Sequence, residues 1–371
     1  MELYIHVPFC KRKCRYCDFP SWAGREDLMP RYVDVLLDEA ASYGRQTIES
    51  VYIGGGTPSL LPPTLLEKLL SGIRACFTIP AGIEWSSEAN PGTLTEEWLK
   101  AAVEGGVNRL SLGMQAYQPT LLGMLGRIHD FDEVMASVEL ARRAGIGNIN
   151  LDLMFGLPGQ TPDMWRETLR KALSLAPEHL SCYGLIPEDG TPLKADLDAG
   201  RLSLPDEADE RRMYDDALTI LAVNGYEQYE ISNFARPGYA CRHNLGYWRQ
   251  TPYIGLGASA ASCLPESGGC AYERMANPAD MEEYLNGGER SRERISPAEA
   301  RFETMMLGLR TTRGVSERGF LAMHGVSLNE CYGDRLRDLE RRGLVTLQDG
   351  WYRLTRRGMD VQNAILVELM D

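Results

Sequence analysis

The sequence contains no stretch approaching the roughly 18 apolar residues that a membrane-crossing helix requires, and no charged leader followed by an apolar segment at its start. A cytoplasmic protein is expected. Positive charge is also in deficit: 39 Lys and Arg face 52 Asp and Glu, a formal net charge of −13, so broad electrostatic attraction to nucleic acid or anionic lipid is not expected. No fixed-period repeat is present, and the glycine-rich segments match neither the phosphate-loop pattern nor Gly-x-Gly-x-x-Gly. The nine cysteines are odd in number and irregularly spaced, which speaks against a disulfide framework and for reduced thiols and metal ligation. What is left is an ordinary soluble composition, 44% hydrophobic and 25% charged. The 371 residues exceed one average domain, although α/β barrels run this long as single units.

Three cysteines fall within eight residues. Cys10, Cys14 and Cys17 stand in the stretch Tyr4–Phe19 with Lys11, Arg12, Lys13 and Arg15 among them, and cationic neighbours favour the thiolate that binds metal. No fourth cysteine follows at short spacing, and His6 or Asp18 completes no usual zinc pattern. Three thiolates suit an iron–sulfur cubane with one iron left open; zinc and simple thiols are the alternatives. Cys76 and Cys182 sit in apolar segments and read as core, while Cys241, Cys263, Cys270 and Cys331 are unassigned.

From Leu3 to about Asn233, short β-rich runs alternate with longer amphipathic segments. Strands are predicted at 3–7, 50–53, 83–88, 107–112, 148–153 and 179–184, with another at 226–231, and helices at 31–43, 64–76, 96–104, 131–144 and 164–175. Strict alternation implies a parallel sheet covered by helices, and about six units suit a barrel or an incomplete one. Residues 1–233 therefore read as one domain. Residues 234–290 change to Gly- and aromatic-rich loops with a small-residue patch at Gly255–Ser262, and 286–294 reads as a linker. Over 291–371, helical segments at 297–309, 317–324 and 328–342 precede a strand pair at 344–347 and 351–354, the order of a winged helix. Residues 300–371 hold eleven Arg and Lys against ten Asp and Glu, so this module lacks the basic face of a DNA reader. Domain packing or partner binding is expected of it.

In parallel α/β barrels the loops after the strands form one rim, so polar groups at successive strand ends converge. Here the cysteine loop follows the first strand, and Gly54-Gly55-Gly56-Thr57-Pro58-Ser59 follows the second, where absent side chains let the backbone approach a ligand. Glu88 ends the third strand, Gln115 lies just past the fourth with Arg127 after a short helix, and Asp152 stands in the fifth. Any one of these reads as a structural polar group or a plain turn. Their recurrence at one end of consecutive strands points to a shared site.

Cys10-x3-Cys14-x2-Cys17 resembles the signature of the radical S-adenosylmethionine (SAM) family. Tyr-Ile-His-Val-Pro-Phe-Cys, with Tyr16-Cys17-Asp18-Phe19, is similar to the branch that holds oxygen-independent coproporphyrinogen III oxidase and the HemW heme chaperones. The resemblance implies an incomplete TIM-type (β/α)6 barrel with a C-terminal winged-helix-like α+β domain. It also implies a [4Fe–4S] cluster on Cys10, Cys14 and Cys17, with SAM on the open iron. It assigns Gly55, Gly56 and Thr57 to the SAM amino group, Tyr4 to a place beside cluster and SAM, and Glu88, Gln115, Arg127 and Asp152 to further SAM contacts. Gly156–Thr161 continues the branch's pattern. Carboxylates and an amide suit ribose hydroxyls or an ammonium, and Arg127 suits a carboxylate. The shared chemistry is electron transfer from the reduced cluster into SAM, while the protein orients SAM and excludes water and oxygen.

Within the branch, the oxidase carries an additional cysteine where this sequence has Phe19. His243-Asn244-Leu245-Gly246-Tyr247-Trp248 is similar to the His-Asn-x-x-Tyr-Trp motif of the chaperones. Imidazole ligates heme iron and aromatics cover a porphyrin face, so the resemblance makes His243, Tyr247 and Trp248 heme candidates; on the residues alone, the reading as core aromatics and a loop-bonded histidine comes first. A histidine frequent near the end of the 255–262 loop in relatives is Ala261 here, so any ligand role it has does not transfer. Met306–Arg310 and Leu354-Thr355-x-x-Gly358 are similar to the chaperones' C-terminal domain. The expected function is a heme chaperone that passes heme to apo-hemoproteins such as membrane-associated respiratory enzymes, peripheral to the inner face of the membrane, with homodimerisation as one available switch. The alternative is a radical SAM enzyme acting on porphyrin or heme by propionate decarboxylation or ring opening.

Overall fold

A computed structural model describes residues 1–266 and 271–370; Cys270 lies outside the described residues. The chain opens with β1 (Glu2–Val7), the short β2 (Phe9–Cys10) and β3 (Trp22–Ala23), and α1 (Met29–Ser42). Then come β4 (Ser50–Gly55), α2 (Pro63–Cys76), β5 (Glu84–Ala89), α3 (Glu96–Gly105), β6 (Arg109–Gln115) and α4 (Pro119–Leu125). The series continues through α5 (Phe131–Arg143), β7 (Asn148–Phe155), α6 (Pro162–Ser174) and β8 (His179–Gly184). Helix starts follow local chemistry: Thr95, Asp130 and Thr161 each accept an N–H bond from the first turn, Asp130 as part of a capping box with Glu133. Strands β1, β4, β5, β6, β7 and β8 lie side by side in parallel, as the alternation requires.

Successive residues of these strands divide by chemistry. Leu3, Ile5, Val51, Ile53, Leu110 and Leu112 are fully buried in one core with the apolar stripes of the helices. The other face is polar. Its register sets Tyr4 beside Tyr52, Ser86 and Arg109, and sets Glu88 beside Ser111, Asn150 and His179. Closed barrels of this type fill their interior with branched aliphatics, whereas this lumen is lined with hydrogen-bonding groups.

After β8 come α7 (Pro192–Asp198), α8 (Glu207–Val223), β9 (Glu227–Gln228), β10 (Asn233–Ala235) and α9 (Arg242–Trp248). The strand predicted at 226–231 shrinks to two residues because the chain turns after it, with the Glu230 carboxylate accepting the Ser232 N–H at 3.0 Å. The stretch expected as loops is largely sheet. β11 (Tyr253–Leu256) pairs in parallel with β1, and β12 (Ala261–Pro265), β13 (Tyr272–Ala276) and, after α10 (Met281–Leu285), β14 (Ser291–Ile295) continue it antiparallel. The small residues are steric: a Cβ at Gly255 would lie 2.1 Å from the Ala261 carbonyl oxygen. The segment read as a charged linker contains β14, whose Ser-Arg-Glu-Arg-Ile sequence marks a sheet edge guarded by charge.

The C-terminal module contains α11 (Pro297–Gly308), β15 (Val315–Ser316), α12 (Glu317–His324), α13 (Leu328–Arg341), β16 (Val345–Gln348), β17 (Trp351–Leu354), α14 (Arg356–Asp360) and α15 (Gln362–Leu369). It has its own core around Met305, Phe320, Leu336 and Ile365, and a three-stranded antiparallel sheet in the order β15-β17-β16. Among the described residues, no helix is long and apolar enough to cross a membrane.

Candidate functional site

The cysteine loop leaves the barrel rim and returns through the parallel pairing of β2 with β3, where the Trp22 N–H donates to the Pro8 carbonyl at 2.7 Å. Its middle is fixed from the far side. The Arg15 N–H donates to the Leu125 carbonyl at 2.9 Å, its guanidinium pairs with Asp196, and the Leu193 N–H donates to the Arg15 carbonyl at 2.9 Å. Tyr16 packs on a small apolar cluster that includes Leu121, Leu125, Met154 and Leu185. The loop is therefore seated on α4 and α7 while Lys11, Arg12 and Lys13 stay exposed.

Cys10, Cys14 and Cys17 border a cavity of about 530 Å³ that is also lined by Gly55, Gly56, Thr57, Glu88, Gln115, Arg127 and Asp152. Thr57, Arg127, Asp152 and Glu88 each have a holder. The Thr57 hydroxyl donates to Cys10 Sγ at 3.8 Å and accepts from Asn90 Nδ2 at 2.8 Å. Arg127 donates to Cys14 Sγ at 3.5 Å, and to Asn90 Oδ1 and the Gly113 carbonyl at 2.7 Å each. Asp152 accepts from Ser111 Oγ and Asn150 Nδ2, both at 2.9 Å. Glu88 accepts from the Tyr52 hydroxyl at 3.0 Å and the Gly55 N–H at 3.1 Å. Gln115 ends β6 at φ 61°, just after a shift in register, and this bulge places it on the cavity wall.

Two glycines are required by close contact. Gly55 has φ 106°, and a Cβ there would meet the His6 ring at 2.4 Å; at Gly56 a Cβ would sit 2.7 to 2.9 Å from the Val7 and Phe9 backbone. Gly56→Ala is expected to cost about 1–3 kcal/mol, the usual penalty of overpacking, read as a lower urea midpoint. An unchanged midpoint would show that the loop yields freely.

This donor set fits a cluster with a zwitterionic cofactor on it. There are thiols for three irons, carboxylates and backbone for cationic or hydroxyl groups, and one guanidinium for a carboxylate. Among the described residues, no three His, Cys, Asp or Glu side chains close around a single metal ion; the cysteines border the cavity instead. Enclosure sets the protonation. Burial raises the Cys10 thiol and pushes Cys17 to about 11, so metal binding must displace protons. Burial, and then the Asp152 charge, push Glu88 up to about 7 against the pull of the Tyr52 and Gly55 donors; Asp152 is raised as well, chiefly by burial.

Tyr4 stands behind this cavity. Its hydroxyl lies 2.9 Å from His6 Nδ1, and it lines a second cavity of about 410 Å³ with His6, His243, Asn244, Tyr247 and Tyr253. The two cavities share Phe19, Tyr52, Gly55 and Glu88. His243 is 1% exposed, with Nδ1 2.7 Å from Ser50 Oγ and Nε2 3.1 Å from the Tyr247 hydroxyl, so both ring nitrogens are engaged within the protein. Trp248 lies apart, under the Arg310 guanidinium at 4.8 Å.

The motif helix α9 begins on Glu84, whose carboxylate accepts from the Arg242 N–H at 3.0 Å, the His243 N–H at 3.1 Å and Cys241 Sγ at 3.3 Å. It thereby plugs the lumen at the N-terminal ends of the strands, opposite the cysteine rim. Glu84, Tyr52, Asn90, Ser111 and Asn150 were not legible as site residues from strand ends alone. Their signal is the alternation itself: Glu84-Trp85-Ser86-Ser87-Glu88 and Asn148-Ile149-Asn150-Leu151-Asp152 repeat polar residues at every second place in parallel strands, which are normally apolar on both faces.

The model of the radical SAM superfamily matches residues 4–172, and that of the HemN C-terminal domain matches residues 295–361. The chain is 37% identical to the heme chaperone HemW of Bacillus subtilis (strain 168), covering 98% of this chain and 97% of that one. It is 34% identical to the heme chaperone HemW of Escherichia coli (strain K12), over 99% and 97% of the two chains. It is 32% identical to radical S-adenosyl methionine domain-containing protein 1, mitochondrial, of Bos taurus, over 99% and 87%. The solved structure of Escherichia coli coproporphyrinogen III oxidase (HemN), a radical SAM enzyme, superposes with a TM-score of 0.84 at 22% identity over 100% of this chain and 89% of that one, a likeness of fold. Similarity to the chaperones at this level over nearly the whole chain places the barrel, its extension and the C-terminal module in one lineage: the chain belongs to the HemW family of the radical SAM superfamily.

Proposed function

We propose that the protein holds heme, together with a [4Fe–4S] cluster and SAM, and delivers the heme to apo-hemoproteins, among them respiratory enzymes at the inner face of the cytoplasmic membrane. The observation that carries this reading is the near-full-length similarity to proteins named heme chaperone HemW. Phe19, where the oxidase has a further cysteine, agrees with it. Cys10, Cys14 and Cys17 would hold the cluster, and Gly55, Gly56, Thr57, Glu88, Gln115, Arg127 and Asp152 would hold SAM, with Tyr4 supporting them from behind. When bound and reduced, the cluster supplies an electron that can cleave SAM. The protein's own contribution is to pair the cofactor's charges with Glu88, Asp152 and Arg127 and to limit water at the rim. His243 and Tyr247 would face heme from the second cavity, and iron ligation by His243 requires it to give up one of its two hydrogen bonds. Association of two copies fits such a role as a switch.

The test is anaerobic reconstitution with iron and sulfide, then heme, then SAM and reductant, with porphyrin analysis. Stoichiometric heme uptake and unchanged porphyrin are expected; porphyrin conversion coupled to 5′-deoxyadenosine would make the protein an enzyme. SAM affinity is further expected to fall as the pH drops through about 7, because protonation neutralises Glu88 beside a cationic ligand. Equilibrium dialysis across that range checks it, and a flat profile would mean that Glu88 pairs with no cation.

A further inference from the structure

Tyr52 stands in the wall between the two cavities. Its hydroxyl donates to Glu88 Oε1 at 3.0 Å. Its ring stacks on His243, with centroids 5.2 Å apart and planes at 29°, and lies near Tyr4 at 6.4 Å and 25°. His243 is fixed in turn by Ser50 and Tyr247. The Glu88 carboxyl group lies flush on β4, where a Cβ at Gly54 would come within 2.9 Å of it. A continuous chain of contacts thus runs from the motif helix through His243 and Tyr52 to a carboxylate on the rim cavity.

We infer that Tyr52 is a positioning residue that couples the two cavities: displacement of the His243 ring alters the Tyr52–Glu88 hydrogen bond and so changes the affinity of the rim cavity for SAM. This rests on the reading of that cavity as the SAM site. Coupling of this kind is reciprocal, so bound SAM must equally change the ease with which His243 leaves its partners. The groups that act on Glu88 are Tyr4 of β1, Tyr52 and the Gly55 N–H of β4, Arg109 of β6, Asp152 of β7 and Tyr183 of β8. Asp152 opposes ionisation of Glu88, while Arg109, Gly55 and the Tyr52 hydroxyl favour it. Loss of the hydroxyl therefore moves the titration of Glu88 upward, and the variant needs a higher pH to bind a cation.

The experiment measures SAM affinity by equilibrium dialysis, across pH, for the reconstituted full-length protein and for Tyr52→Phe, His243→Gln and their double variant. Tyr247→Phe, which frees His243 Nε2 while leaving the Ser50 contact to Nδ1 in place, is included in case His243→Gln folds poorly. Tyr52→Phe is expected to weaken SAM about tenfold, the size of one hydrogen bond to a charged acceptor. His243→Gln and Tyr247→Phe are expected to weaken it several-fold, and the double variant to be no weaker than Tyr52→Phe alone. The pH midpoint of SAM binding should rise in each variant, a shift that mere loosening of the fold does not produce. Wild-type affinity in both His243→Gln and Tyr247→Phe, losses that multiply in the double variant, or an unmoved midpoint would each overturn the coupling. A wild-type protein that takes up no SAM would overturn the rim-cavity reading itself, and the inference with it.

Discussion

Cys14→Ala is expected to leave the reconstituted protein without cluster iron or acid-labile sulfide, a complete loss, while heme uptake persists at least in part. Among the described residues, the cysteines on the rim cavity are Cys10, Cys14 and Cys17, whereas Cys182 and Cys241 are buried elsewhere. A cubane that already leaves one iron without a protein ligand has no margin for losing a second. Cys14 also sits where the loop is best anchored, beside the Arg127 guanidinium and one residue from the Arg15 contact to Leu125. The loop should therefore keep its path and lose its metal. Iron and sulfide assays with heme titration check this; equal loss of both signals would mean that one site, not two, serves both ligands.

Glu84→Ala is expected to lower stability by about 2–4 kcal/mol, the cost of leaving buried hydrogen-bond donors without their acceptor. The carboxylate is 7% exposed and accepts the first two N–H groups of α9. Arg109 is 2% exposed; burial opposes its charge, and Cys241 and Glu84 offset that. Truncation leaves the two N–H donors of α9 facing a void and removes a negative charge whose field favours the buried Arg109 guanidinium. Urea unfolding should show the loss, with Glu84→Gln keeping an acceptor for the helix and losing less. A change below about 1 kcal/mol would mean that water enters and replaces the carboxylate. The same variant should loosen the motif helix, so heme uptake is expected to suffer while cluster assembly at the opposite end of the strands survives.

The parallel core of the fold was legible because its two periodicities are regular. Each predicted strand from 3–7 to 179–184 matches an observed one within a few residues, and the helices predicted at 131–144 and 164–175 are observed at Phe131–Arg143 and Pro162–Ser174. The cysteine spacing and the residues at strand ends identified ten of the side chains and backbone positions that line the rim cavity. Two things were hidden. β11–β14 did not read as strands because Gly255 and its neighbours are small for steric reasons, and β14 carries edge-strand charge that mimics a linker. The second is the depth of the site. Tyr52 sits in the interior of β4 and Glu84 at the first residue of β5, away from the rim, where a polar residue reads as a local exception until the register sets six such strands side by side.

The pairing of β1 with β11 bears on how the protein is made. Synthesis delivers β1, and with it the cysteine loop, first, and delivers the strand that closes its other edge, where Leu3 meets Ile254, about 250 residues later. Until then β1 offers an open row of backbone donors and acceptors, and α9, the floor of the barrel, is also still in the ribosome or just emerging. A nascent chain thus presents three thiols on a half-built wall for most of its synthesis. If Cys10, Cys14 and Cys17 hold the proposed cluster, metal taken up in that interval would meet them before the barrel beneath them is closed, and insertion after release would find the wall complete.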